Sequence, residues 1–171
     1  MKAGSIFSGI FATIWWFAGT RNSGWPIILL FGIPIIYFTY LFVIVKREGK
    51  TTTVKSKKGG RRIGRFVGIA SGVEGILIIL TVNVLANIGK SELLIPIIAI
   101  IVGLHFLPLA RWLPVRLFYY TATGLIILGI CGFFISDTVV RLRFICLGSA
   151  VILWITSYIL LRTQSQLQTS N

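Results

Sequence analysis

Acidic residues are almost missing from this chain. Glu48, Glu74, Glu92 and Asp137 are the only four in 171 residues, and His105 is the single histidine. This scarcity excludes several chemistries. Glycosidase or aspartyl-type mechanisms need two carboxylates at one site, and the four acids are dispersed. A serine triad needs its acid beside its histidine, and no aspartate lies near His105. A zinc centre usually takes four ligands, and no cysteine accompanies His105. Cys131 and Cys146 both lie in apolar stretches, without metal-type spacing or a secreted disulfide framework. Gly49-Lys50-Thr51 has the ending of a phosphate-binding loop, but that pattern demands glycine at position 44, which is Ile44. No catalytic constellation remains, so neither an enzyme nor a resident metal or cofactor is expected.

Charge in general is scarce too. Charged residues make up 12% of the chain, against about 25% in an ordinary soluble domain. Hydrophobic residues reach 56% and the mean hydropathy is +0.91. A soluble fold of this size needs far more polar surface to cover its core. The excess apolar surface must face lipid.

What is abundant is long uncharged sequence. Six stretches, 3–20, 22–45, 66–89, 93–110, 117–136 and 144–161, are each about 18–24 residues long, and Glu74 is their one interruption. Crossing a hydrocarbon core takes roughly 17–25 helical residues. Backbone groups in lipid must be hydrogen-bonded internally, which helices achieve, and barrel strands would alternate polar with apolar residues, as these do not. The expectation is an all-α, polytopic transmembrane bundle of about six spans forming one integral membrane domain over 1–171. The first stretch follows Lys2 and could be a secretory signal. It lacks a good cleavage site, however, and Trp15, Trp16 and Trp25 suit an interfacial aromatic belt, so it is read as a span.

The net charge of +13 is concentrated rather than spread. Segment 46–65 is read as a loop carrying nine of the 17 Lys and Arg residues. With that loop in the cytoplasm, the inner side also collects Lys2, Arg111, Arg116 and Arg162. The outer side keeps only Arg21, Lys90, Arg141 and Arg143. The asymmetry predicts both termini inside. The loop would attract anionic lipid. It has little aromatic interleaving for base stacking, so no nucleic-acid partner is expected. Residues 163–171 read as a polar, frayed tail. Ile33-Pro34-Ile35-Ile36 recurs as Ile95-Pro96-Ile97-Ile98, but the two spans run the same way and form no inverted pair.

The candidate site rests on polar residues out of place. Glu74 lies about 12 Å inside span three and His105 about 8 Å inside span four, both measured from the inner edge. A tight turn joins these spans, so a Glu–His contact is geometrically open. Intramembrane ionisable residues are functional candidates by default. The bland alternative is a hydrogen bond that ties two helices. Asn83 and Asn87 add polarity to the outer half of span three. With Gly68, Ser71, Gly72 and Gly75, they make span three the expected packed centre of the bundle, or the lining of any pathway. Arg111, Arg116, Tyr119 and Tyr120 would contact an anionic headgroup or ligand, or simply anchor the inner interface. Two activities are compatible with this pattern. One is transport of a small solute or ion through an intramembrane Glu/His site. The other is a non-catalytic assembly or regulatory subunit, with a homo-oligomer or a membrane partner.

Val102-Gly103-Leu104-His105-Phe106-Leu107-Pro108-Leu109-Ala110-Arg111, followed by Tyr119-Tyr120 and Thr123-Gly124, has a further significance. Together with Glu74-Gly75 and Asn83-Val84-Leu85-Ala86-Asn87, it resembles a family of small bacterial multi-span membrane proteins classed as a domain of unknown function. The resemblance covers spans three to five. It implies an all-helical fold in a bacterial inner membrane, and no activity.

Overall fold

The computed structural model describes residues 2–20, 31–40, 57–112 and 116–169, and these are helical apart from short connections, with no strand. The helices are α1 (Lys2–Thr20), α2 (Phe31–Tyr40), α3 (Lys57–Asn87), α4 (Leu94–Trp112), α5 (Leu117–Phe133) and α6 (Thr138–Thr169). Three of them are long and apolar enough to cross a membrane, over Gly64–Asn87, Ser91–Trp112 and Thr138–Leu160. The remainder of the expected second span lies outside the described residues.

Two helices outrun their apolar stretches. The helix α3 begins at Lys57 rather than at 66, so part of the expected basic loop is helical; the rest, 46–56, lies outside the described residues. The helix α6 continues to Thr169, so most of the expected frayed tail is helical as well. Lys, Arg and Gln are good helix formers in water, so hydropathy marks where lipid ends and not where the helix does. The start of α6 also precedes its apolar stretch: Asp137 caps it, its Oδ1 accepting from the Val140 N–H at 2.8 Å.

Paired contacts show that neighbouring helices run in opposite directions. Ser8 of α1 meets Leu153 of α6, and Gly19 meets Cys146. Gly103 of α4 meets Ile126 of α5, and Gly129 meets Ile100. Thr121 of α5 lies 2.7 Å from Thr156 of α6, whereas Gly132 sits against Ile145. The N-terminal ends of α1, α3 and α5 therefore share one end of the bundle with the C-terminal ends of α4 and α6. At the opposite end α3 closes on Gly89, whose φ is +69°. The Lys90 N–H returns to the Leu85 carbonyl at 2.9 Å and the Gly89 N–H to that of Ala86. This left-handed cap needs glycine and turns the chain tightly into α4.

The core lies among α1, α4, α5 and α6. Ala12, Trp16, Ala99, Val102, Leu125, Ile145, Ala150 and Leu153 form its buried centre. Small residues set the spacing. A Cβ on Gly129 would stand 2.8 Å from the Pro96 carbonyl oxygen, and one on Gly103 3.0 Å from that of Ala122. The backbones of α4 and α5 can approach this closely only because glycine occupies both positions. Arg141, buried at the start of α6, latches the connections. Its guanidinium donates to the carbonyls of Ile135 at 2.8 Å, Glu92 at 2.9 Å and Ser136 at 3.4 Å.

The expectation that span three is the packed centre is corrected. Among the described residues α3 packs chiefly on α4, and its only buried side chains are Glu74 and Leu85. Its glycines have open space instead: nothing stands within 4 Å of a Cβ built on Gly64, Gly68, Gly72 or Gly75. Small residues permit close packing but do not require it.

Two glycine substitutions should therefore part company. Gly129→Ala should lower the thermal unfolding temperature of the detergent-purified protein, at a cost of about 1–3 kcal/mol for overpacking. Gly72→Ala, with open space around it, should leave the temperature unchanged or raise it slightly through better helix propensity.

Candidate functional site

The two buried residues of α3 define the face it turns to α4. Glu74 and Leu85 are three helical turns apart and so lie on one side. Along that side run Phe66, Ala70 and Leu77, which together with Glu74 form one wall of a groove of about 350 Å³. The other wall is α4, with Ile101, Leu104, His105, Pro108 and Trp112. The rim residues Ile69, Val73, Leu104 and Trp112 are exposed, so the groove opens on the outer flank of the bundle. Phe66 and Trp112 stack at the end nearest the start of α3, their ring centroids 4.1 Å apart and 18° from parallel.

Glu74 and His105 meet on the floor of this groove. His105 Nδ1 lies 3.5 Å from Glu74 Oε2, with 11% and 8% of their side-chain surfaces exposed. The imidazole also hydrogen-bonds the main chain of Ala70, one turn before Glu74. One histidine is thereby tied twice to the same helix, and each contact orients the ring for the other. Every other described residue lining the groove is apolar. An ionised carboxylate in hydrocarbon surroundings must be compensated by a proton, a cation or several hydrogen bonds. Here the imidazole supplies one contact, and the open side of the groove leaves room for another.

The other candidate residues lie elsewhere. Asn83 is exposed and donates from Nδ2 to the Ile79 carbonyl of its own helix at 2.8 Å. Asn87 is exposed at the end of α3. Nine residues of helix turn a side chain through about two and a half revolutions, so Asn83 faces away from Glu74 and the two form no common site. Arg111, Arg116, Tyr119 and Tyr120 are exposed around the α4–α5 connection, with Tyr120 75% exposed. None of the four lines the groove. Cys131 is exposed and Cys146 is buried, and both are free thiols. The sequence signalled neither the aromatic lid of Phe66 on Trp112 nor the Arg141 latch. An outward arginine and two interfacial aromatics are ordinary features until the helices are placed.

No family model, curated protein or solved structure matches this chain.

If the Glu74–His105 contact is a mutual tie, removing one partner should harm stability more than removing both. His105→Leu and Glu74→Leu should each cost about 1–3 kcal/mol by leaving a buried polar group unpaired. The double variant should sit closer to the wild type, because an apolar pair of similar volume can replace a buried polar one at little cost. Thermal unfolding of the four proteins in the same detergent measures the coupling. Additive effects of the two substitutions would show that the side chains do not interact.

Proposed function

We propose that this chain is an integral membrane protein of about six spans that moves a small solute or ion across the bilayer, linked to a proton held at Glu74 and His105. The observation that carries this reading is the position of the pair. It forms the floor of a groove in an apolar helix pair, within reach of a ligand, and not sealed among core side chains. Antiparallel packing also gathers Arg65, Arg111, Arg116 and Arg162 at one end of the bundle. The positive-inside rule assigns that end to the cytoplasm, with both termini. There Arg111, Arg116 and the basic segment 46–65 would meet anionic headgroups.

A second reading has its own support. The flank of α3 away from α4 exposes Ile76, Ile79, Leu80 and Val84, with open glycines beside them. Such a face suits a second copy or another membrane protein, and favours an assembly or regulatory subunit in which Glu74 and His105 only hold α3 in place. A bacterial inner membrane is the setting that the resemblance around His105 implies.

Proton entry into sealed proteoliposomes tests the first reading. With a potassium-diffusion potential, negative inside, and a trapped pH dye, the wild type should acidify the lumen faster than empty liposomes. Glu74→Gln should abolish the difference, and His105→Gln should reduce it. Wild-type liposomes that behave like empty ones would favour the subunit reading.

A further inference from the structure

We infer that the α3–α4 groove binds an organic, lipid-soluble monocation, its charge against Glu74 and its apolar body along Leu77, Ile101 and the Phe66–Trp112 stack. This rests on the reading of the Glu74–His105 pair as a ligand site and names the ligand's class.

The chemistry of the groove selects this class stepwise. Its volume of about 350 Å³ falls at the small end of pockets that hold organic ligands, roughly 300–1,000 Å³. Its walls are hydrocarbon and aromatic, and it opens on a flank exposing Ile69, Val73 and Leu104, so a ligand reaches it through lipid rather than water. A hydrated inorganic cation is a poor fit. Magnesium and calcium want about six or more oxygens, and the groove offers one carboxylate. Among the described residues no group of three or more His, Cys, Asp and Glu side chains stands close enough to hold a metal.

The sign of the charge follows from the groups present. Among the described residues, Glu74 and His105 are the only ionisable ones lining the groove. On α3, Arg65 precedes Phe66; on α4, Arg111 precedes Trp112. Both arginines are exposed at the groove's end and neither lines it. They guard the aqueous end against a cation arriving from the cytoplasm, while Glu74 attracts one arriving from the bilayer. Inside, His105 remains tethered to Ala70, so a cation can take the open side of the carboxylate while the imidazole stays on the other. A proton and the cation would then compete for one carboxylate, which is the coupling that exchange of the two requires.

Tetraphenylphosphonium is the probe, with neutral triphenylphosphine oxide as its uncharged counterpart. Binding to the full chain in detergent can be followed by equilibrium dialysis of radiolabelled probe. The cation should bind saturably, more weakly as pH falls, and the neutral compound should bind far less. Glu74→Gln should weaken the cation by about thirtyfold or more, as expected for losing one partner of a desolvated charge pair. Val73→Trp, a rim substitution that leaves the pair untouched, should block the groove while the protein keeps its circular dichroism and unfolding temperature. Equal binding of both compounds, or tetraphenylphosphonium binding unchanged in Glu74→Gln, would overturn the assignment. No binding by a folded wild type would overturn it too. In that case Glu74-dependent proton entry would show that only the ligand class is wrong, and its absence that the site itself is misread.

Discussion

A carboxylate cannot stand alone in hydrocarbon, and the placement of α3 depends on that. This helix carries a broad apolar surface with no strong preference for one neighbour, and most of it is exposed. Among its described residues only Glu74 and Leu85 are buried, and both lie on the face that meets α4. An apolar residue at position 74 could face lipid as comfortably as another helix. A glutamate could not, because leaving it in lipid costs a few kcal/mol. The Glu74–His105 contact and the His105–Ala70 hydrogen bond therefore choose the rotation of α3 about its axis, and the stack of Phe66 on Trp112 follows from it. The groove is a consequence of the same choice. Two helices held together by one polar pair, with Ala70 between the pair and the aromatic stack, leave a gap where a larger side chain would have filled the space.

The rest of the bundle is held differently. Between α4 and α5 backbones approach over Gly103 and Gly129, Gly19 of α1 sits against Cys146 of α6, and buried hydroxyls reach across, Ser8 to Leu153 between α1 and α6 and Thr121 to Thr156 between α5 and α6. In lipid such contacts hold helices together by packing and hydrogen bonding, with little help from the hydrophobic effect. A well-packed core of α1, α4, α5 and α6 thus carries a loosely attached α3. That division suits a site on α3 that must admit a ligand or change protonation while the core stays fixed.

Much of this was legible in the residues, and the part that was not has a physical reason. Uncharged length gave the helices, because lipid leaves few alternatives for a backbone. Helix rise and a tight turn at Gly89 put Glu74 and His105 at similar depth. Helix ends are not marked by hydropathy, since Lys57 and Thr169 belong to helices that continue beyond the apolar stretches. That α3 lies outside the packed centre has another reason. The glycines of α3 look the same in sequence as those of α4 and α5, and only the neighbour across the gap distinguishes a close contact from an empty one. The opposed faces of Glu74 and Asn83 were implicit in their spacing, nine residues apart. Arg141 gave no signal, because its partners are carbonyls, which every residue has.

The placement of α3 rests on contact between Glu74 and His105 within the membrane. With one histidine in the chain, nitrogen labelling of histidine marks a single site. Solid-state NMR in lipid bilayers can then detect dipolar coupling between His105 Nδ1 and a labelled glutamate carboxyl carbon. The coupling should persist in Glu48→Gln and Glu92→Gln and disappear in Glu74→Gln. A wild type without that coupling, or a coupling that survives in Glu74→Gln, would contradict it.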